Sequence, residues 1–101
     1  MIREGDRLLL QGPVTFSQTP ALLTAGLDYF RQGVRVIDFK QVTEVDSSTV
    51  SLLLAWRRHA KEHDLTLHIV NLPRNLLSLA ELYGLADLLL SPNDNAQNAS
   101  R

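Results

Sequence analysis

The chain has 101 residues, a formal net charge of −1 at pH 7 and no cysteine. Its length and its composition, 45% hydrophobic and 21% charged, are those of one ordinary globular domain and exclude a disordered chain. The balanced charge gives no electrostatic basis for binding nucleic acid, and the lack of cysteine excludes a disulfide scaffold and any thiolate metal site.

The amino-terminal segment predicts a β-hairpin. Two short strands, at 2–4 and 7–11, flank the two-residue loop 5–6, which contains a glycine and has the length typical of hairpin loops. Gly12 and Pro13 follow directly. Because proline disrupts strand pairing, we expect the second strand to stop before them.

A helix and a strand are predicted next. Thr19 is a favourable N-cap, Pro20 suits the first helical position and Gly33 suits the end of the helix. Gly26 lies inside this helix and lowers its helix propensity by about 1 kcal/mol relative to alanine. Residues 34–39 are rich in branched side chains and predict a strand.

The second half of the chain continues this alternation. We predict a helix at 47–63, a strand of alternating polarity at 65–70 and a helix at 73–83 that ends at Gly84. Residues 91–101 contain no apolar side chain larger than alanine and should form a disordered tail.

This order of elements predicts an α/β fold for one domain at residues 1–90, with a four-stranded mixed β-sheet packed with helices. Strands that are separated by helices pair in parallel, and the amino-terminal strand adds an antiparallel edge. Five apolar residues on the strand and helix faces should lie in the core: Val36, Leu53, Leu67, Ile69 and Leu79.

The loop before the helix at 47–63 carries residues with useful chemistry. Asp46, Ser47 and Ser48 lie where the helix must begin, and Ser47 should be exposed. Free backbone N–H groups and the positive end of the helix dipole meet at such a point, which suits an anion, a phosphorylated hydroxyl or an acceptor group of a partner. The same residue types are preferred N-caps, so capping alone also explains the pattern.

The helix that follows is amphipathic and has a second, polar stripe. One side is apolar and should be buried: Val50, Leu53, Trp56 and Ala60. The opposite side begins with small residues and ends in a charge pair: Ser47, Ser51, Ala55, Arg58 and Glu62. This stripe is either a solvated face or a docking face for a partner. Leu52 and Leu54 would form its apolar rim. Arg57 falls among the buried positions of the helix and should extend its charged group to water.

The sequence contains no visible catalytic or metal-binding constellation. His59 and His63 have the spacing of two ligands on one helix face, but neither an HExxH motif nor a third ligand accompanies them. Two surface histidines are the simpler interpretation. There is no GxSxG motif and no glycine-rich phosphate loop. We therefore predict a protein that is not an enzyme and that needs neither a metal nor a cofactor.

Several segments together resemble the STAS domain, which sulphate transporters and anti-sigma factor antagonists share. They are the hairpin at 5–12, the strand and acid–serine–serine loop at 34–48, and the final helix at 71–85. The final helix and the run Leu-Leu-Leu-Ala-Trp-Arg-Arg-His-Ala at 52–60 are most similar to the MlaB-type members, which are small STAS subunits of bacterial lipid-transport ABC complexes. The resemblance covers about residues 2–90.

This resemblance implies a non-catalytic subunit that docks on the ATPase (MlaF-like) of a phospholipid-transporting ABC complex, together with a membrane permease. The complex would maintain the lipid asymmetry of the outer membrane. The subunit would be cytoplasmic and held at the inner face of the inner membrane by its partner. We expect neither a signal peptide nor direct membrane insertion, because no apolar run approaches roughly 20 residues. The residues implied in partner binding are Asp46, Ser47, Ser48, Ser51, Ala55, Arg58 and Glu62.

The resemblance also implies an alternative, an anti-sigma factor antagonist that is switched by phosphorylation of Ser47. A phosphate there would add nearly two negative charges beside Asp46 and repel a bound partner. Thr49 stands where that branch usually has glycine, and residues 13–16 lack the acidic residue that commonly follows the second strand. Both departures disfavour the alternative. An enzyme or a small-molecule binder is a third possibility, which the motifs disfavour.

Overall fold

The computed structural model describes residues 1–87, which form a four-stranded sheet and three helices. In chain order the elements are β1 (Ile2–Glu4), β2 (Arg7–Val14), α1 (Thr19–Arg31), β3 (Val36–Val45), α2 (Ser47–Glu62), β4 (His68–Val70) and α3 (Arg74–Leu82). The strand order is β1-β2-β3-β4, with β1 antiparallel to β2 and the other pairs parallel. The predicted α/β fold with a mixed four-stranded sheet is confirmed. The predicted tail at 91–101 lies outside the described residues.

The predicted hairpin is present, but its second strand is longer than predicted. Gly5 has a φ of 62°, in the left-handed region that glycine adopts without strain. β2 runs through Gly12 and Pro13 to Val14, so the predicted stop is wrong. β1 pairs only with residues 7–9, which leaves the later part of β2 unpaired on that side. The pairing with β3 shifts register between Gly12 and Pro13, which accommodates the proline, and shifts once more between Leu9 and Gln11.

Other element boundaries differ from the predictions for local reasons. α1 begins at Thr19 itself, Gln18 occupies the N-cap position, and Pro20 lies in the first turn, where no backbone N–H is needed. β3 continues past the predicted 34–39 because it keeps pairing with the extended β2. β4 is shorter than predicted, since only residues 68–70 pair with β3.

The main core lies between one face of the sheet and the helices. Its largest fully buried side chains are Trp56, Phe30, Phe39, Leu8, Leu10, Ile37, Leu53, Leu67 and Leu76. Three predicted core residues are buried: Leu53, Leu67 and Ile69. Val36 is only half-buried, because the pleat of β3 directs its neighbour Ile37 to the core. Leu79 is also half-buried but packs against the core, so the core prediction is corrected for Val36 and holds only in part for Leu79.

Gly26 lies at the contact between α1 and α2. Trp56 is fully buried, and a Cβ added at Gly26 would lie 2.5 Å from its indole ring. The indole N–H donates a hydrogen bond to the carbonyl of Leu23 (3.3 Å), and Phe30 packs edge-on against the ring with centroids 5.8 Å apart. Gly26 is therefore the residue that lets the two helices approach, at the cost in helix propensity that its sequence position implies.

Arg57 is buried, contrary to the prediction that its charged group reaches water. It is 7% exposed, and its guanidinium donates a hydrogen bond to the carbonyl of Leu67 at 2.7 Å. Burial lowers the pKa of Arg57 to about 10, so it still carries its charge at neutral pH. The side chain thereby links α2 to the residue that precedes β4.

A buried carboxylate, Asp38, joins the strands on the other face of the sheet. It accepts hydrogen bonds from Arg7 (2.8 Å), from Asn71 (2.9 Å) and from the backbone N–H of Lys40 (2.9 Å). Burial would raise the pKa of Asp38, but these hydrogen bonds and the charge of Arg7 outweigh it and lower the pKa below its ordinary value. These three donors to the Asp38 carboxylate all belong to this domain, which indicates a structural role for Asp38.

Candidate functional site

Helix α2 begins directly after β3 and is capped by Asp46. The backbone of Asp46 is extended, and its Oδ1 accepts hydrogen bonds from the backbone N–H (2.9 Å) and the hydroxyl of Ser48. The Thr49 hydroxyl accepts a hydrogen bond from the N–H of Asp46 (3.0 Å), which completes a capping box. The N-cap interpretation is confirmed for Asp46. Ser47 is exposed, as predicted, whereas Ser48 is half-buried.

The second carboxylate oxygen of Asp46 fixes a neighbouring loop. Oδ2 accepts a hydrogen bond from the backbone N–H of Phe16 (3.1 Å), in the loop between β2 and α1. The hydrogen bond from the Ser48 hydroxyl, with those from backbone N–H groups, lowers the pKa of Asp46 and outweighs the effect of burial. The carboxylate is therefore ionised at neutral pH, and both of its oxygens bind groups of this chain. Direct partner binding by Asp46 stays a prediction.

Thr49 joins the end of β2 to the start of α2. It is fully buried, and its hydroxyl donates a hydrogen bond to the carbonyl of Val14 while accepting the one from Asp46. Glycine, which the resemblance leads one to expect at this position, would make neither contact. The departure from the family pattern therefore has a structural use in this chain.

Thr49→Val should lower the free energy of unfolding by about 1 to 2 kcal/mol, because the buried partners of the hydroxyl lose their hydrogen bonds while the shape of the side chain is kept. Urea unfolding followed by the fluorescence of Trp56 measures this change. Thr43→Val, at an exposed position on β3, is the matched control and should change stability by less than about 0.5 kcal/mol. Equal stability of Thr49→Val and the parent would contradict the proposed role of the hydroxyl.

The polar stripe predicted for α2 lies on the outer face of the helix. Four of its members are exposed and Ala55 is half-buried; we call the set the outer stripe: Ser47, Ser51, Ala55, Arg58 and Glu62. The opposite side is buried, as predicted: Val50, Leu53, Trp56 and Ala60. Leu52 is also buried, so it forms no rim, whereas Leu54 is half-buried. Partner binding by the outer stripe stays a prediction.

A shallow groove borders the first half of the outer stripe. It has a volume of about 570 Å³ and separates α2 from the segment that follows α3. We call it the serine groove, and its lining residues are Ser47, Ser48, Val50, Ser51, Leu54, Tyr83 and Leu85. Leu82 and Tyr83 are large and exposed, which gives the surface beside the groove an apolar margin. Aromatic residues are enriched at surfaces that bind other proteins, which makes the apolar margin at Tyr83 the part of this surface that favours a partner.

Sequence reasoning missed two aromatic residues near the start of α2: Phe16, whose backbone binds Asp46, and Tyr83, which lines the serine groove. Phe16 is 74% exposed, and the tether to Asp46 holds its loop beside the start of α2. Tyr83 reaches the groove only because α3 packs against α2. The positions of Phe16 and Tyr83 both depend on packing between distant segments. The one local signal in the sequence was Phe16 itself, an aromatic residue in an otherwise polar loop.

The two histidines of α2 are stacked rather than arranged around a metal. The ring centroids of His59 and His63 lie 4.1 Å apart, and His59 also stacks on Phe30. His59 is half-buried rather than a surface residue. Burial, with the nearby charges of His63 and Arg31, lowers the pKa of His59 and favours its neutral form. Within residues 1–87, no group of acidic, histidine or cysteine side chains is placed to hold a metal ion.

None of the helices that the structure describes within residues 1–87 is both long enough and apolar enough to cross a membrane.

The order of strands and helices described above is known from another protein. A solved structure of the anti-sigma factor antagonist SpoIIAA in its unphosphorylated form is similar to this chain, with a TM-score of 0.64 and 18% sequence identity. The similarity covers 93% of this chain and 78% of that one. At this identity the likeness concerns the fold alone.

The family is shown by the sequence itself. Residues 2–91 match the family model described as "Mlab, STAS domain", so the chain belongs to this STAS domain family. The matching model describes a STAS domain and not a family of enzymes. No curated protein sequence is significantly similar to the chain.

Proposed function

We propose that this chain is a non-catalytic subunit that docks on the ATPase of a phospholipid-transporting ABC complex and supports its activity. The complex maintains the lipid asymmetry of the outer membrane. Membership of the MlaB STAS family supports this proposal. The structural observation that carries it is the outer stripe, an exposed face of small residues at the capped start of α2.

The outer stripe has the properties that a docking face requires. Ser47, Ser51 and Ala55 are small, so a backbone or helix of the ATPase can approach α2 closely. Arg58 and Glu62 are exposed at the far end, where each polar contact contributes about 1 kcal/mol or less. The capping box keeps the amino-terminal end of the surface rigid, so little conformational entropy is lost on binding.

The location follows from the partner. A chain that docks on the ATPase of an inner-membrane transporter lies in the cytoplasm, against the inner face of the membrane. The ATPase and its permease, rather than a segment of this chain, provide the attachment.

The alternative function is an anti-sigma factor antagonist that is switched by phosphorylation of Ser47. The exposure of Ser47 at a helix start and the likeness in fold to SpoIIAA favour it. A phosphate on Ser47 would lie close to the ionised Asp46, and its two added negative charges would repel a docked partner. Intact-mass spectrometry of the protein from growing cells separates the two functions. The transporter subunit should be unphosphorylated, and a phosphorylated fraction at Ser47 that varies with stress would favour the switch.

Co-purification tests the proposed partner. The chain, carrying an affinity tag after residue 101, is expressed at its natural level, and bound proteins are identified by mass spectrometry. An ABC ATPase together with a permease is the expected result. Recovery of a serine kinase or anti-sigma factor in place of the ATPase would overturn the proposal.

A further inference from the structure

We infer that Phe16 is the side chain by which this protein recognises an apolar pocket on its ATPase partner, and that Asp46 positions it. This inference rests on the proposed function, because the ATPase is the partner concerned. It adds a specificity-determining aromatic residue to a surface that is otherwise made of small and polar side chains.

The exposure of Phe16 is the first observation. Its side chain is 74% exposed, so the fold gains little from the large apolar ring. A rigid aromatic side chain at the centre of an interface is a frequent source of binding free energy, because it buries a large apolar area and loses few rotamers. The ring of Phe16 therefore has more to gain from a partner than from its own chain.

The rigidity of the loop is the second observation. The backbone N–H of Phe16 binds Asp46, and the residue before it, Thr15, binds the side chain of Gln18 through its N–H (3.0 Å) and its hydroxyl (2.8 Å). The N–H of Gln18 in turn donates to the carbonyl of Thr15 (2.8 Å). On the other side of the loop, Thr49 binds the carbonyl of Val14. The backbone that carries Phe16 is thus held in place before any partner arrives, which reduces the entropic cost of ordering the loop on binding.

The position of Phe16 is the third observation. Asp46 is the N-cap of α2 and immediately precedes Ser47, the first member of the outer stripe. One carboxylate therefore binds the start of the outer stripe with Oδ1 and the backbone of Phe16 with Oδ2. The loop that carries the exposed Phe16 is therefore attached at the start of the outer stripe, so that a single partner can contact both.

The test is a binding titration with the purified MlaF-like ATPase, in detergent with its permease, against the full-length chain. Phe16→Ala should weaken binding about tenfold or more, as expected for an aromatic anchor. Phe16→Leu should recover part of the loss. The matched control is Ile2→Ala, which shortens an exposed apolar side chain on the edge strand β1 and should leave the affinity unchanged. Thermal unfolding of each variant verifies that the domain is folded.

Asp46→Asn tests the positioning role. Its remaining oxygen can cap Ser48, but its amide group cannot accept a hydrogen bond from Phe16. Binding should weaken in the parent background and change no further when Phe16 is already alanine, because Asp46 acts through Phe16. Equal, additive losses in both backgrounds would overturn that role.

The outcomes separate this inference from the proposed function. If Phe16→Ala binds as tightly as the parent while Ser47→Glu loses binding, the proposed role of Phe16 is wrong and the proposed docking on the ATPase is retained. If the parent itself does not bind the ATPase, the proposed function fails and the inference fails with it.

Discussion

Ser47→Glu should weaken binding of this chain to its ABC ATPase by about 100-fold, which corresponds to about 2.7 kcal/mol. The physical reason is that the longer, charged side chain would occupy the close contact at the start of the outer stripe and lose its water there without a partner. The added charge would also lie beside the ionised Asp46. Isothermal titration at matched salt concentrations measures the effect.

The variant should remain folded, because Ser47 is exposed and an acidic side chain in the first turn of a helix interacts favourably with the helix dipole. Ser47→Ala, which keeps a small side chain, should lose far less affinity than Ser47→Glu. Thr24→Glu, at an exposed position of α1, is the matched control for an added carboxylate away from the outer stripe. An affinity for Ser47→Glu equal to that of the parent would show that the start of α2 is not the docking face.

Gly26→Ala should destabilise the domain by about 2 to 3 kcal/mol, although alanine is the better helix former by about 1 kcal/mol. The added methyl group would meet the indole of Trp56, which is fully buried and hydrogen-bonded to Leu23. Either the two helices move apart or the indole shifts, and both disturb the contact with Phe30. Urea unfolding measures the loss.

The control is Thr24→Ala, at an exposed position of the same helix. It gains helix propensity without a steric conflict and should leave the stability unchanged or slightly higher. A Gly26→Ala variant that is as stable as the parent would show that the contact between α1 and α2 adjusts without cost.

The fold was predictable because its determinants are local. The alternation of branched strands with amphipathic helices, and the acid–serine pair before α2, act within a few residues, and they specify the order of elements and the buried side of α2. The same periodicity placed the outer stripe on the exposed side. The family resemblance rests on the same residues.

What could not be predicted depends on contacts between distant parts of the chain. The charged group of Arg57 stays inside the fold because the carbonyl of Leu67 accepts its hydrogen bond. β2 passes through Pro13 because β1 is too short to pair with it there. The role of Gly26 in the packing of α1 against α2 becomes apparent only from the position of Trp56. The hydrogen bond from the backbone of Phe16 to Asp46 also joins distant parts of the chain. The sequence therefore predicted the polar residues at the start of α2 but not the aromatic residue beside them.

The rate of ATP hydrolysis by the ATPase–permease complex, measured with and without this chain, tests the central claim most directly. Adding the parent chain to a complex purified without it should raise the rate, and Ser47→Glu should fail to do so at the same concentration. Deleting the chain from cells should correspondingly weaken the outer-membrane barrier. A rate of hydrolysis that is the same with the chain, without it and with Ser47→Glu would contradict the claim that this protein supports the transporter's ATPase.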